Sequence, residues 1–447
     1  MSGESKALAA IIHQSARIQG GLDNMAVSFS GGKDSLVALD LAVRVGIKKA
    51  VYCDTTADFD ETIQYVDRVR AFYGIDLLTA KGAAEFFDSI EHVGLPTRRA
   101  RWCCEVHKYG PIARYAREKG IKAFVTGLRR NESPRRTLYT ERDQNPMIPV
   151  WQINPILDWT TEDVWDYIHT YNLPYNPLYD KGLKRVGCWC CPYKSDPEWE
   201  EMRAIFPEKV ESFEKVLETQ ANKLGIKDKE RFINKRGWTK WISPQRRRVM
   251  GELRPCDSNN GSEFDVVNIK FHEAAESNSK KVARLLPVLT DLFTVMPDNS
   301  IKVTVGNLNK KQQKINLKIL AEKSANCFSC GACTSVCPTG ALKVDSLSVY
   351  VDENFCTHCG KCINGGLLRG ACIARNYASK PAALIDLRSE SGLEQWAAAG
   401  IAPGPVGPEE SKSTLEPIGN LPIIGHELSV GVAEIPLLDQ DAKPTTG

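Results

Sequence analysis

Cysteine placement limits the possible folds of this chain more than any other feature of its sequence. The 447 residues include fifteen cysteines, and all but Cys53 and Cys256 fall into compact groups. The first residues lack the apolar core and small-residue cleavage site of a secretory signal. Tight C-x-x-C spacing in such a chain indicates thiolates that bind metal in a reducing compartment, not disulfides.

Two cysteine runs late in the chain share the spacing of their first three cysteines. The first run, Cys327 to Cys337 followed by Pro338, reads C-x2-C-x2-C-x3-C-P, and the second delays its fourth cysteine by residues 363–371. This is the run of bacterial two-cluster ferredoxins, in which the fourth cysteine of each run binds the other cluster. The predicted [4Fe–4S] ligand sets are therefore Cys327, Cys330, Cys333 and Cys372, and Cys356, Cys359, Cys362 and Cys337. Zinc is the alternative for the same thiols.

Short apolar runs alternate with helical periodicity between about residues 20 and 200. The pattern predicts strands at Met25–Phe29, Lys49–Cys53, Ile75–Leu78 and Ala123–Thr126. It predicts helices at Asp34–Val45, Glu61–Tyr73 and Val106–Lys119, and a capped helix that opens with Thr161 and Glu162. Strands joined by crossover helices form a parallel sheet covered on both faces, and ligands bind beyond the C-terminal ends of its strands.

A short glycine turn, SGGKDS at residues 30–35, follows the first predicted strand. Its glycines let the backbone approach an anion, and the next helix presents unpaired N–H groups and a positive dipole end. The spacing is not that of GxxxxGK[ST], and chemistry alone does not separate a phosphate site from an ordinary turn.

The SGGKDS turn resembles the pyrophosphate-binding loop of the adenine-nucleotide α-hydrolase superfamily. The nucleotide-binding residues that this resemblance implies are Ser28, Ser30, Gly31, Gly32, Lys33, Asp34, Ser35, Asp54 and Gly127.

Four further thiols come from two distant segments. Cys103 and Cys104 are adjacent, and Cys188-x-x-Cys191 encloses Cys190. Four thiolates suit a tetrahedral zinc ion or a four-iron cluster, although structural zinc usually takes ligands two to four residues apart. Buried cysteines without a metal are the third possibility.

This cysteine arrangement behind an SGG loop resembles the cluster-binding pattern of adenylylsulfate reductases. Similar segments are CCxxxKxxP with Lys108, DTTADFDET at 54–62, TGLRRNESPRR at 126–136, and the run at 154–182. The resemblance covers about residues 20–200. It implies a third [4Fe–4S] cluster on Cys103, Cys104, Cys188 and Cys191, and sulfate contacts from Lys108, Arg129 and Arg136.

The resemblance also implies an activity, the reduction of adenylylsulfate or 3′-phosphoadenylylsulfate to sulfite and AMP or PAP. We expect a low-potential electron donor, ferredoxin-like or similar, to feed the ferredoxin segment. The reductases typically carry a nucleophilic cysteine in a Cys-Gly-Leu-His segment, which this sequence lacks. Cys190 or Cys256 would replace it, or sulfite would leave by direct reduction.

Two other functions fit parts of the sequence. The intact SGGKDS loop and the basic, aromatic NKRGWTKW patch at 234–241 favour an ATP-dependent enzyme that thiolates tRNA or a small molecule. An electron-transfer subunit with a vestigial nucleotide site is a non-enzymatic option. The sequence does not distinguish adenylylsulfate from 3′-phosphoadenylylsulfate.

We expect an α/β fold, a parallel sheet with helices on both faces, followed by a small α+β unit and a ferredoxin-like domain. The predicted segments are a nucleotide-binding domain with its [4Fe–4S] site at 1–250, a spacer at 251–322, the ferredoxin domain at 323–380 and a linker or tail at 381–447. In the spacer, the apolar run 264–271 precedes a helix through Val282, Leu285, Leu289 and Phe293 and the alternating IKVTV.

The apolar runs and the net charge of the sequence bear on its partners. No run approaches the roughly 20 apolar residues of a membrane span, so we expect no membrane partner. The net charge of +3 is too small to indicate nucleic-acid binding by itself. We expect a cytoplasmic homo-oligomer.

Overall fold

The computed structural model describes residues 2–145, 148–241, 264–271, 276–306, 310–364, 372–373 and 385–390. In the first half the helices are α1 (Gly3–Ser15), α2 (Lys33–Arg44), α3 (Asp60–Tyr73), α4 (Phe86–Val93), α5 (Trp102–Cys104), α6 (Gly110–Glu118), α7 (Thr161–Thr170), α8 (Asp196–Ile205), α9 (Pro207–Leu224) and α10 (Lys229–Ile233). A π-helical turn, Glu105–Tyr109, joins α5 to α6. Among the described residues, none of the helices combines the length and the apolar composition of a membrane span.

A six-stranded sheet organises the first half. Its strands are β1 (Met25–Phe29), β2 (Lys49–Asp54), β3 (Asp76–Lys81), β4 (Ala123–Val125), β5 (Arg142–Gln144) and β6 (Trp151–Ile153), in the order β3-β2-β1-β4-β6-β5. All neighbours are parallel except the edge strand β5. The α/β fold class and the four predicted strands are confirmed.

Helices cover both faces of this sheet. Met25 and Val27 of β1 pack into a core with α2, α3 and α7, whereas Ala26 points to the opposite core with α6. Burial on both faces explains why four of the five residues of β1 are apolar, with Ser28 the one polar position, instead of apolar and polar residues alternating.

The predicted helix near residue 161 is present as α7. Its cap is Thr160, whose side chain accepts from the Asp163 backbone N–H while the Asp163 side chain accepts from the Thr160 N–H. This reciprocal pair satisfies two backbone donors at the start of the helix. Val164, Tyr167 and Ile168 are buried, as their spacing predicted.

A second sheet follows, with the strands β7 (Phe264–Phe271), β8 (Phe293–Val295), β9 (Ile301–Gly306) and β12 (Ile385–Glu390). These four strands are antiparallel, in the order β12-β7-β9-β8, and the helices of the unit are α11 (Glu276–Ala283) and α12 (Lys310–Ala325). In chain order the unit is β-α-β-β-α-β, the split βαβ arrangement.

Three sequence expectations change here. The helix expected through Phe293 ends at Ala283, and Phe293 begins β8. Residues 385–390, expected within a linker, form β12 beside β7. The boundary expected between residues 322 and 323 falls inside α12.

The late cysteine segment lies between α12 and β12 in the chain. It contains the hairpin β10 (Leu342–Val344) and β11 (Val349–Val351) and the short helix α13 (Lys361–Asn364). Val267 and Ile301 of the second sheet share one hydrophobic core with Cys333 and Leu342 of this segment. The region expected to be a spacer therefore supports the cysteine segment.

Candidate functional site

The glycine turn after β1 is held by a network of serine hydroxyls. The Ser30 backbone N–H and hydroxyl each lie 3.1 Å from the Ser35 hydroxyl oxygen, which donates to the Gly32 carbonyl at 2.8 Å. Gly31 has φ of +75°, and a Cβ there would lie 2.9 Å from a methyl of Thr62. The turn therefore requires glycine, and it presents the N-terminus of α2 at the C-terminal edge of the sheet, where anions bind.

A cavity of about 280 Å³ opens above this turn. Most of the predicted nucleotide-binding residues line it, namely Ser28, Ser30, Gly32, Lys33, Asp34, Ser35 and Gly127. A Cβ on Gly127 would lie 2.4 Å from the Asp34 carbonyl. The loop after β4 thus passes against the start of α2 so closely that only glycine fits.

The two predicted arginines take different positions. Arg136 lines the cavity, where it pairs with Glu132. Arg129 does not line it: its side chain is 3% exposed and donates to Asp34 at 2.6 Å and to the Trp159 carbonyl at 3.3 Å. Arg129 therefore holds the turn in place through Asp34 on the side away from the cavity, and this position argues against its predicted sulfate contact.

A third arginine, Arg185, was missed by the sequence reasoning. It lies at the rim of the cavity. Burial, followed by the positive charge of Arg185, lowers the pKa of Arg136. Two cations that repel each other across a cavity favour an anion between them. The only signal was a basic pair, Lys184 and Arg185, just before Cys188.

Asp54 and Lys108 lie away from this cavity's walls. Asp54 accepts from the Thr56 backbone N–H at 2.8 Å and pairs with Lys81 at 3.3 Å. These contacts hold the loop after β2, and a direct contact of Asp54 with the nucleotide stays a prediction. Lys108 lies instead among the thiols of Cys104, Cys188 and Cys191, with Cys188 the largest influence in raising its pKa well above the usual value.

The thiols of Cys103, Cys104, Cys188 and Cys191, the Cys103 set, lie near enough for the other three to raise the pKa of Cys103. A hydrogen bond from Cys103, together with nearby Lys108 and Arg101, lowers the pKa of Cys104. Arg101 donates to the Cys104 sulfur at 3.5 Å. Cationic neighbours stabilise a thiolate at Cys104, whereas the hydrogen bond to Cys104 raises the pKa of Cys103 and burial raises the pKa of Cys188 to about 11. Four thiols beside two cations have the composition of a site for an anionic cluster, whose iron would hold the other thiols as thiolates.

Cys190 lies elsewhere than its predicted nucleophilic role requires. It is 0% exposed within a hydrophobic core. A thiol buried in apolar surroundings is inert, so the structure argues against Cys190 as the nucleophile. Cys256, the other candidate, lies outside the described residues.

Each predicted ferredoxin-type ligand set surrounds its own cavity. The Cys327 set (Cys327, Cys330, Cys333 and Cys372) lines one, and the Cys356 set (Cys337, Cys356, Cys359 and Cys362) lines the other. Ser329 and Val349 donate backbone N–H groups to the Cys327 sulfur at 3.4 and 3.3 Å. Such donors stabilise thiolate ligands of a cluster.

A single metal ion fits these thiols less well. Across the described ranges, no group of three or more Cys, His, Asp or Glu side chains is placed to hold one metal ion. Thiols spread around a cavity suit a multi-iron cluster better than a zinc ion about 2.3 Å from each sulfur.

Comparisons with known proteins agree with this architecture. Residues 24–194 match the phosphoadenosine phosphosulfate reductase domain, and residues 319–365 match the 4Fe-4S dicluster domain. The adenosine 5'-phosphosulfate reductase of Lysinibacillus sphaericus is 31% identical over 166 residues, which are 36% of this chain and 70% of that protein. The chain therefore belongs to the phosphoadenosine phosphosulfate reductase family. It is a member with a two-cluster ferredoxin domain, and two [4Fe–4S] clusters are its cofactors.

Two other relatives match a larger share of this chain and are themselves longer proteins than the matched part. Uncharacterized proteins of Methanocaldococcus jannaschii are 36% and 37% identical, over 47% and 40% of this chain. The chain spans less than half of their length, 45% and 44%. A solved phosphoadenylyl-sulfate reductase from Candida auris is 22% identical with a TM-score of 0.35, covering 43% of this chain and 90% of that one.

Proposed function

We propose that this protein reduces an adenine sulfonucleotide to sulfite and an adenosine phosphate, with electrons supplied through its own ferredoxin segment. The observation that carries the proposal is the cavity that joins the glycine turn, the N-terminus of α2, Arg136 and Arg185. Backbone N–H groups and two arginines offer separate sites for the phosphate and sulfate ends of one ligand.

The cavity residues bind and orient in this scheme. The N–H groups at the start of α2 and the Lys33 ammonium hold the nucleotide phosphate. Arg136 and Arg185 hold the sulfate, whose three oxygens suit charge-assisted donors. Gly127 gives the nucleotide access to the turn because no side chain stands between the β4 loop and α2.

The reaction breaks the bond between sulfur and the bridging phosphate oxygen. Two electrons and one proton convert sulfur(VI) to hydrogen sulfite, and the bridging oxygen leaves with the adenosine phosphate. Clusters bound by the three cysteine sets would supply these electrons one at a time. Lys108, between the Cys103 set and Asp58, supplies a positive charge that partly offsets an anionic cluster.

A third [4Fe–4S] cluster on the Cys103 set is part of this proposal. Support comes from the convergence of the four thiols, from the cations Lys108 and Arg101, and from the loop after β2. That loop contacts the segment of Cys188 and Cys191. The Trp189 N–H donates to the Ala57 carbonyl at 3.0 Å, and the Cys188 thiol lies 3.3 Å from the Thr55 hydroxyl.

The test is anaerobic turnover with reduced methyl viologen and adenylylsulfate, 3′-phosphoadenylylsulfate, or ATP with tRNA. We expect sulfite with at least one sulfonucleotide, and the preferred one identifies the substrate. Pyrophosphate release from ATP without sulfite from either sulfonucleotide would instead support the thiolation enzyme. One of its supports has weakened, since Trp238 of the NKRGWTKW patch is 0% exposed in the core and is not free to stack on RNA bases.

A further inference from the structure

The two ferredoxin-type cysteine sets have different surroundings. Cys333 and Cys372 of the Cys327 set are 7% and 9% exposed. Cys359 of the Cys356 set is exposed. Electron exchange with another protein requires an approach to a cluster, so this difference bears on where electrons enter.

The Cys327 set faces the nucleotide-binding half. Ile373, which lines its cavity, shares a hydrophobic core with Trp102, and Cys103 and Cys188 pack against that same core. Phe328, also in the cavity wall, stacks on His92 of α4 with ring centroids 5.0 Å apart. The Cys327 set is therefore packed toward the Cys103 set.

Two arginines of α6 hold this contact. Arg114 donates to the Gly331 carbonyl at 3.3 Å, and Arg117 donates to the Thr334 and Cys337 carbonyls at 2.9 and 2.8 Å. Helix α6 continues the helical segment that begins at Trp102 and carries Cys103 and Cys104 in its first turn. The continuous helical segment from α5 to α6 thus carries two thiols of the Cys103 set near its start and donates hydrogen bonds to the ferredoxin segment near its end.

The Cys356 set lies next to solvent. Residues 353–361, which carry two of its cysteines and are mostly exposed, are called the outer surface. Phe355 is 57% exposed and directly precedes Cys356, and Thr357, His358 and Cys359 are exposed beside it. Glu353 and Lys361 stand at the two ends. An exposed aromatic side chain with a polar rim is the usual composition of a protein docking site.

We infer that a one-electron carrier protein docks on the outer surface, and that electrons pass from the Cys356 set through the Cys327 set to the Cys103 set. In each encounter the reduced carrier loses one electron and the cluster of the Cys356 set gains one. Two encounters supply one sulfonucleotide. The endpoint of this route rests on the proposed function, whereas the entry point does not.

The first experiment follows cluster reduction by stopped-flow absorbance without any sulfonucleotide. The donors are a reduced bacterial flavodoxin, a reduced bacterial ferredoxin and reduced methyl viologen. We expect Phe355→Ser to slow reduction by at least one carrier protein about tenfold and to leave the viologen rate unchanged, because viologen needs no docking site. The matched control is Phe72→Ser on α3, since Phe72 is 56% exposed.

Equal carrier rates in Phe355→Ser and Phe72→Ser would overturn the docking site. So would a wild-type chain that viologen reduces and neither carrier does. Because no sulfonucleotide is present, these results are separate from success or failure of the reductase assay.

A second comparison tests the order. In Cys359→Ser, with the loss of one cluster verified by iron content, viologen should still reduce the cluster of the Cys327 set and the carrier should not. In Cys330→Ser the carrier should still reduce the cluster of the Cys356 set. The reverse pattern would place the entry at the Cys327 set and contradict the inference.

Discussion

Single side chains divide the nucleotide site into groups that contact the ligand and groups that support it. Arg136 lines the cavity, whereas Arg129 is buried and bonded to Asp34. Sequence reasoning gave both the same role because both stand in one arginine-rich loop. Only the positions of the two side chains separate them.

Arg136→Ala should lower kcat/KM for the sulfonucleotide by roughly 10- to 150-fold, the loss of one charge-assisted contact worth about 1.5–3 kcal/mol. The variant should also lose some thermal stability because Arg136 pairs with Glu132, but less than Arg129→Ala does, since the Arg136 side chain is 32% exposed. Arg129→Ala should instead destabilise the fold by about 2–3 kcal/mol, since it removes a buried guanidinium and leaves Asp34 with Lys33 as its one remaining cationic partner. Steady-state kinetics and thermal melts of both variants make the comparison. An Arg136→Ala variant with unaltered kcat/KM would remove Arg136 from the sulfate site.

His107 should make stability fall in acid. It is 1% exposed beside Trp102, neither ring nitrogen has a hydrogen-bond partner among the described residues, and burial lowers its pKa to about 4. Because the unfolded chain takes up the proton first, stability is complete above pH about 6.5 and declines as pH falls toward 4, by about 2 kcal/mol at pH 5.

The measurement for His107 is unfolding free energy at pH 7 and pH 5. His107→Gln should lose less stability between the two than the wild type does. His13→Gln, at an exposed histidine of α1, is the control and should behave as the wild type. Identical acid sensitivity in all three proteins would exclude His107 as the cause.

At the scale of elements, local patterns predicted the first sheet well. Strand β1 begins and ends at apolar residues, because burial on both faces makes four of its five residues apolar, and the exception, Ser28, lines the cavity. The helix expected through Phe293 was wrong since its periodic apolar residues continue through a turn at Leu286–Val288 into β8. Strand β12 was missed because its partner β7 lies more than a hundred residues earlier, and no local pattern records such a pairing.

Contacts between α6 and the ferredoxin segment also hold the nucleotide-binding half and the ferredoxin segment together. Arg117→Ala removes the bonds from α6 to the Thr334 and Cys337 carbonyls. We expect the variant to keep its iron but to pass electrons from the ferredoxin segment to the Cys103 set at least about tenfold more slowly, the cost of one or two charged hydrogen bonds.

Rapid-freeze electron paramagnetic resonance after mixing with a reductant measures that transfer. Arg68→Ala, at an exposed arginine on α3, is the control. Transfer at the wild-type rate in Arg117→Ala would mean that α6 does not position the ferredoxin segment.

For the whole molecule, the cysteine sets predict the iron content. Three sets of four thiols should hold about twelve irons per chain, and the two ferredoxin-type sets alone about eight. Cys104→Ser should lower the wild-type value by about four irons. Anaerobic iron and zinc analysis is the measurement, and a wild-type value near eight with zinc present would place zinc at the Cys103 set.

Electrons stored in the clusters of this chain should reduce the bound sulfonucleotide. The direct measurement is a single turnover: the chain is reduced anaerobically, freed of reductant and mixed with adenylylsulfate or 3′-phosphoadenylylsulfate. Three one-electron clusters hold enough charge for about one sulfite per chain, formed as the cluster absorbance returns to its oxidised value. Clusters that stay reduced in the presence of both nucleotides, with no sulfite formed, would show that the chain does not reduce a sulfonucleotide.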